Sequence, residues 1–376
     1  MAGFLSACSL VLILNSMGQF HQESSALNAR LRADPLLVVD KDGAISKIAQ
    51  PTQWPVRRAK ILLGMEAAMG PFPAKLSRSD LAVKKLGEPV TVSNHSRQKI
   101  SFEPSPGTVI KAWLLVPLPA VGQKVAKFPA MLCLHQTIPM GKDEPAGLGV
   151  SKSKRQAFDL ADRGFVCLAP DYPSFGEYPC DFKNPAWQSG TMLAIWNNSR
   201  AVDLLCSLPE VDAERIGAIG HSLGGHNTLF TAVFEPRIKV AVTSCGFTSF
   251  PKYMKGDLTG WTSSRYMPRI ATIFGKDPAK MPFDFPEVLA AIAPRGVFVN
   301  APKKDDNFGL EGVIDSIAAA RPVFKLLNAE NRLQLRTPEG GHDFQEESRL
   351  EAYAFVHGIL SPPQSPHGNP LRENDK

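Results

Sequence analysis

The sequence predicts an α/β protein with a mostly parallel central sheet and helices on both faces. Two observations carry this. From residue 129 onward, short apolar runs of strand length alternate with longer segments of helical period, which is the pattern of βα units. The chain is 376 residues long, 44% hydrophobic and 21% charged, a composition that supplies a sizeable buried core and argues against disorder or multiple membrane spans. A formal charge of +6 with no block of consecutive Lys or Arg gives no basis for nucleic-acid binding.

Residues 3–14 form an almost uninterrupted apolar run of signal-peptide length, too short to span a membrane, and Ser16 and Gly18 place small residues at −3 and −1 of a cleavage site. No Lys or Arg precedes Arg30, so only the terminal amine supplies charge to this leader. The balance favours a signal peptide over residues 1–18 and a secreted or periplasmic location, with the cytoplasm as the alternative. Residues 19–50 show no sustained period and read as a linker or loosely attached arm. Over 52–70, Trp54, Ile61, Leu62, Met65 and Met69 share one helical face, Pro55 suits the first turn and Gly70-Pro71 stops the helix. Alternation in 100–102 and 109–116 around Gly107 suggests a hairpin.

The strand-like runs that follow are 130–135, 165–170, 215–222, 238–245, 296–301 and 333–337. Segments 153–162, 190–208, 224–234, 285–292, 312–327 and 347–360 read as helices. The long interruption 246–284 contains Trp261, Tyr266 and Phe274 and is expected to form an ordered lid or insertion. Residues 361–376 read as a polar tail. The six cysteines contain no C-x-x-C pair, and most lie in apolar runs, as small core hydrophobes do. Gly147-Leu148-Gly149 lacks a preceding strand and a third spaced glycine, so it is a loop and no dinucleotide fingerprint.

Gly220-His221-Ser222-Leu223-Gly224 sits between a strand-like run and a helical one. A serine on so tight a turn is forced into a strained conformation that exposes its hydroxyl above the sheet edge, while glycines on either side keep side chains out of the turn. A serine hydroxyl needs a base, and the base needs a carboxylate to fix its tautomer. His342, on the loop after run 333–337, is the expected base. Asp305, on the loop after run 296–301, is the expected acid, with Asp306 as the alternative. The developing oxyanion needs two backbone N–H donors. Leu223 supplies one by position, and the other is expected from Thr137, with Gln136 close behind, on the loop after run 130–134. His135 is expected to brace that loop, and His221 and His226 to pack around the elbow. The order Ser222, Asp305, His342 is that of an α/β-hydrolase, and neither the chymotrypsin nor the subtilisin type has it.

The stretch 211–217 running into 220–225, together with Leu134-His135-Gln136-Thr137, Ala169-Pro170-Asp171-Tyr172-Pro173, Asp305 and Gly341-His342-Asp343-Phe344, resembles the dienelactone-hydrolase-related branch of the α/β-hydrolase superfamily. It is also similar to acetyl xylan esterases and to the catalytic domain of prolyl oligopeptidases. The likeness covers 96–360, which becomes the expected catalytic domain, preceded by an N-terminal arm over 19–95. Dienelactone hydrolases proper use a cysteine where this chain has Ser222, so their substrate is not implied. The roughly 75 residues between leader and hydrolase cannot supply the propeller of a prolyl oligopeptidase. Trp54-Pro55-Val56-Arg57-Arg58 resembles the N-terminal helix of bacterial polysaccharide esterases and hints at a carbohydrate ester. The expectation is therefore a serine esterase acting through an acyl-enzyme on a small-molecule or carbohydrate ester, with no metal or organic cofactor required and no stable membrane insertion. An aminopeptidase or amidase with the same three residues, and a silent hydrolase fold serving as a binding protein, are the alternatives.

Overall fold

The computed structural model describes residues 25–73, 80–118 and 127–360. The expected leader 1–18 and tail 361–376 lie outside the described residues. Among the described residues, no helix is long and apolar enough to cross a membrane.

Helix α1 (Ser25–Ala33) and the antiparallel pair β1 (Leu37–Val39) and β2 (Ile45–Lys47) occupy the stretch that the sequence offers as a loose arm. The structure corrects that reading. Leu36 and Ile48 are buried with the main core, and the Arg32 guanidinium donates to the carbonyls of Ala279, at 3.2 Å, and of Met281. Backbone carbonyls far along the chain leave no local periodicity, which is why the docking is invisible in sequence. Helix α2 (Trp54–Met69) buries Trp54, Ile61, Met65 and Met69, as its period requires. It is also tied by charge. Arg57 Nη2 meets Glu287 Oε1 at 2.5 Å with both side chains buried, and Arg58 donates to the carbonyls of Ala291 at 2.8 Å and Val233 at 2.6 Å.

The main sheet contains β3 (Lys84–Lys85), β4 (Val90–Val92), β5 (His95–Ser105), β6 (Thr108–Pro117), β7 (Phe128–Leu134), β8 (Val166–Pro170), β9 (Val211–His221), β10 (Ile238–Ser244), β11 (Gly296–Asn300) and β12 (Leu333–Arg336). The spatial order is β12-β11-β10-β9-β7-β8-β6-β5-β3, with β4 also paired to β5. From β12 to β8 every pairing is parallel, while β6, β5, β4 and β3 form an antiparallel edge. β3 and β4 lie ahead of residue 96, so the sheet reaches further back than the sequence likeness.

The two-residue period of the strands sorts side chains between two layers. Ala130, Leu132 and Leu134 enter one apolar cluster, whereas Met131 and Cys133 enter the other. The helices that cover the sheet are α3 (Gln156–Ala161), α4 (Gly190–Ser207), α5 (Leu223–Phe234), the short α6 (Arg269–Thr272), α7 (Phe285–Ile292), α8 (Leu310–Leu326) and α9 (Glu346–Leu360). α4, α5, α7 and α8 pack on the first layer with α2, and α3 and α9 on the second. Segment 246–284 is ordered and inserts Phe250, Leu258, Trp261, Met267, Ile270, Met281 and Phe283 into the first cluster.

Candidate active site

Close backbone packing builds the elbow. Ser222 links β9 to α5 with φ 54° and ψ −117°, a conformation that non-glycine residues rarely adopt. Its amide donates to the Ser244 carbonyl at 2.8 Å, which ties the strained residue to β10. The glycines around it are demanded by distance. A Cβ on Gly220 would stand 2.2 Å from the Gly224 carbonyl oxygen, one on Gly224 would stand 2.2 Å from the Leu134 carbonyl oxygen, and one on Gly225 would stand 2.8 Å from Gly246 Cα. α5 therefore begins wedged between the ends of β7 and β10. Leu223 heads the helix, where the first amides have no intrahelical acceptor and the helix dipole is positive.

Asp305 and His342, 37 residues apart in sequence, meet in space. His342 Nδ1 lies 2.9 Å from Asp305 Oδ1 and 3.1 Å from Oδ2, and Oδ1 also accepts from the amides of Asn307 at 2.9 Å and Phe308 at 3.0 Å. Burial alone would raise the Asp305 pKa, but the His342 hydrogen bond and the two amides outweigh it and hold the carboxyl below its ordinary value. Asp306, the sequence alternative, is exposed to solvent. The His342 ring centroid lies 4.9 Å from that of His221, the neighbour of Ser222. Among the described residues no hydrogen bond joins Ser222 Oγ to His342; such links commonly tighten only in the substrate complex.

The loop after β7 is braced through His135. Its Nε2 accepts from the Tyr172 amide at 2.9 Å, so the proton sits on Nδ1, 2.6 Å from the Gln136 carbonyl. Burial lowers its pKa, and with both nitrogens engaged it has no capacity to act as a base. The Gln136 side chain donates to both Glu144 oxygens at 2.9 and 3.0 Å. Thr137 is exposed, with its hydroxyl 3.2 Å from that of Tyr266. Lys142, fully buried, anchors the same loop through Asp171 at 2.9 Å and Glu177 at 2.8 Å. His221 Nδ1 lies 2.9 Å from Ser244 Oγ. Burial, with Lys154 and His342 nearby, pushes His221 far below its ordinary pKa, so it stays neutral.

Several neighbours of the site escape sequence reasoning. Trp261 and Tyr266 stand out in the sequence only as aromatics of the insertion. In space the Trp261 ring is 4.8 Å from His226 and 6.1 Å from Phe308, and Phe308 is 6.0 Å from His342, making one aromatic wall. Asn300 Nδ2 donates to Ser244 Oγ at 2.9 Å and to the Asp343 carbonyl at 3.1 Å, which pins the loop carrying His342 to the sheet. Cys133 and Cys167 are buried core residues as expected. Cys245 departs from that reading: its φ of 48° takes it off β10, and its Sγ donates to the Asp343 carbonyl at 3.3 Å.

This fold is that of an α/β-hydrolase, with the strained turn of Ser222 at the C-terminal edge of the parallel strands. Comparison with known proteins narrows the neighbourhood. A family model described as glucuronyl esterase of fungi matches residues 183–328, a span that includes Ser222 and Asp305. The chain is 27% identical over 225 residues to a 2,6-dihydropseudooxynicotine hydrolase from Paenarthrobacter nicotinovorans, covering 56% of each protein. It is 25% identical over 206 residues to a 4-O-methyl-glucuronoyl methylesterase from Hypocrea jecorina, covering 48% of this chain and 43% of that one. The match thus spans about half the length of these curated relatives. Among solved structures, a glucuronoyl esterase from Solibacter usitatus superposes with a TM-score of 0.65 at 19% identity, covering 87% of this chain and 97% of that one.

Proposed function

We propose that the protein is a serine hydrolase that cleaves carboxylic esters of carbohydrates through Ser222, His342 and Asp305. One observation carries the reading: a strained serine at the head of α5, whose neighbour His221 has its ring 4.9 Å from that of a histidine held by a buried carboxylate. Asp305 keeps the His342 proton on Nδ1 and leaves Nε2 to take the Ser222 proton as Oγ attacks the ester carbonyl. The oxyanion is received by the amides of Leu223 and Thr137, with Gln136 as the neighbouring alternative, and each such donor is worth about 3 kcal/mol of the barrier. The imidazolium, stabilised by Asp305, passes its proton to the leaving alcohol. Water then enters, and His342 draws off its proton as the hydroxide attacks the acyl carbon. His342 returns that proton to Ser222 Oγ as the C–Oγ bond breaks and the acid is released.

The glucuronyl esterase match and the glucuronoyl methylesterase relative support a carbohydrate ester, with uronate esters and acetylated sugars as the first substrates to try. The leader over residues 1–18 fits an extracellular or periplasmic substrate of this kind, and a mature N-terminus at residue 19 is its test.

The functional test is turnover of methyl glucuronate, acetylated xylo-oligosaccharide and short aryl esters, set beside matched amides. Ester hydrolysis is expected to fall by several orders of magnitude in Ser222→Ala with the fold intact, and a fluorophosphonate is expected to label Ser222. Wild-type turnover by Ser222→Ala would overturn the assignment, absence of labelling would favour a silent scaffold, and faster amide cleavage would favour an amidase.

A further inference from the structure

We propose that Cys245, Asp305 and His342 form a binding site for a thiophilic divalent cation such as Zn²⁺, and that filling it switches hydrolysis off. The Cys245 Sγ, a carboxylate oxygen of Asp305 and a ring nitrogen of His342 all lie within 4.8 Å of one another. Thiolate, imidazole and carboxylate are the donor types zinc takes, at bonds of about 2.0–2.3 Å, which sets donors in a tetrahedron about 3.3–3.8 Å apart. The three groups need to adjust by only about an ångström to reach that geometry.

Two of the three are held in place. Cys245 donates its amide to the Asn300 carbonyl at 2.9 Å, and its left-handed φ of 48° sets the thiol beside the loop of His342 and Asp343 where another strand residue would have faced a core layer. Asp305 is fixed by the amides of Asn307 and Phe308. His342 is the accessible member, its side chain 23% exposed, and it offers the way in for the ion and for a water as fourth ligand. A soft thiolate in the set favours Zn²⁺, Cd²⁺ or Co²⁺ over Mg²⁺ or Ca²⁺.

The protons balance as follows. Without metal, Cys245 is a thiol whose S–H donates to the Asp343 carbonyl at 3.3 Å. On binding, the thiol proton is released to solvent. The imidazole keeps one proton, which moves from Nδ1 to Nε2 as Nδ1, the nitrogen facing Asp305, takes the metal. With Nε2 protonated, His342 can no longer accept the Ser222 proton, and the Asp305 charge is spent on the cation. The inhibitory consequence rests on the esterase reading above; the metal site itself does not.

The test uses the metal-stripped full chain. One equivalent of Co²⁺ is expected to give a thiolate-to-cobalt charge-transfer band in the wild type and none in Cys245→Ser or Cys245→Ala. Both variants are expected to keep ester hydrolysis within a few-fold of wild type, which also reports their folding. Half-inhibition by Zn²⁺ is expected to need at least roughly tenfold more metal in either variant. A cobalt band that persists in both variants, no band in the wild type, or equal zinc sensitivity throughout would overturn the proposal. Should the wild type hydrolyse no ester, the esterase reading fails while the cobalt spectrum still decides the metal site.

Discussion

Replacing Gly224 with alanine probes how far the elbow depends on backbone contact. The added methyl group would lie 2.2 Å from the Leu134 carbonyl oxygen, 2.7 Å from the Leu134 carbonyl carbon and 2.8 Å from the His135 carbonyl oxygen. All three are backbone atoms at the end of β7 and the start of the loop proposed to receive the oxyanion, so no side chain can rotate out of the way. Real Cβ contacts stop near 3.0 Å, so α5 and this loop must separate by about 0.8 Å. Retreat toward β10 is closed, because Gly225 already packs where an added atom would stand 2.8 Å from Gly246 Cα. The displacement therefore falls on the spacing between the amides of Leu223 and Thr137. A misplacement approaching 1 Å costs about 10²-fold in rate, and the overpacking itself about 1–3 kcal/mol of stability. Steady-state hydrolysis of an aryl ester together with a thermal melt measures both. Gly358→Ala serves as control, since a Cβ there on α9 meets nothing within 4 Å and should leave activity unchanged and stability equal or higher by up to about 1 kcal/mol. Wild-type kcat and Tm in Gly224→Ala would refute the reasoning.

Three other outcomes follow from the same geometry. Asp305→Asn should cost about 10⁴-fold in kcat by permitting the wrong His342 tautomer, while Asp306→Asn, an exposed change, should leave kinetics near wild type; equal losses would return the choice between them to open. Arg57→Met would leave the buried Glu287 carboxylate unpaired, and urea denaturation should show a loss of about 3–5 kcal/mol, with an unchanged midpoint counting against the ion pair. Burial holds His226 down to about 3, so below the unfolded value near 6.5 the unfolded chain binds a proton that the native one refuses. Stability from this residue is then intact above pH 6.5 and falls by about 1.4 kcal/mol per pH unit on acidification, levelling off near pH 3. His226→Phe should flatten the slope between pH 6 and 4 by that amount, and parallel pH profiles would contradict the burial argument.

Much of the architecture was legible because parallel strands covered on both faces are short apolar runs, and their helices carry the 3.6-residue period. The six strands from β7 to β12 fall within a few residues of the apolar runs, and α7 spans the same residues as its pattern. Ser222 was legible for a similar reason, since the glycines that admit the elbow are local in sequence. The arm over 25–50 was not, because its hold on the body is Arg32 reaching backbone carbonyls near residue 280 and a few isolated buried residues such as Leu36 and Ile48 that set up no period. Periodicity records burial of side chains along one element and carries no trace of a guanidinium bound to distant main chain.

Local chemistry, then, was enough to mark the α/β layers, a strained turn serine and, by order along the chain, the loops of the Asp305–His342 pair that meets in space. Which carboxylate faces His342 was decided only in three dimensions, where Asp305 turns inward onto two amides and Asp306 faces water. The same holds for the proximity of Tyr266 to Thr137 and of Cys245 to Asp305 and His342. Neighbouring loop residues are equivalent in composition, and only the packing of separate strands and loops fixes which side chain is desolvated, which is paired and which is left in solvent.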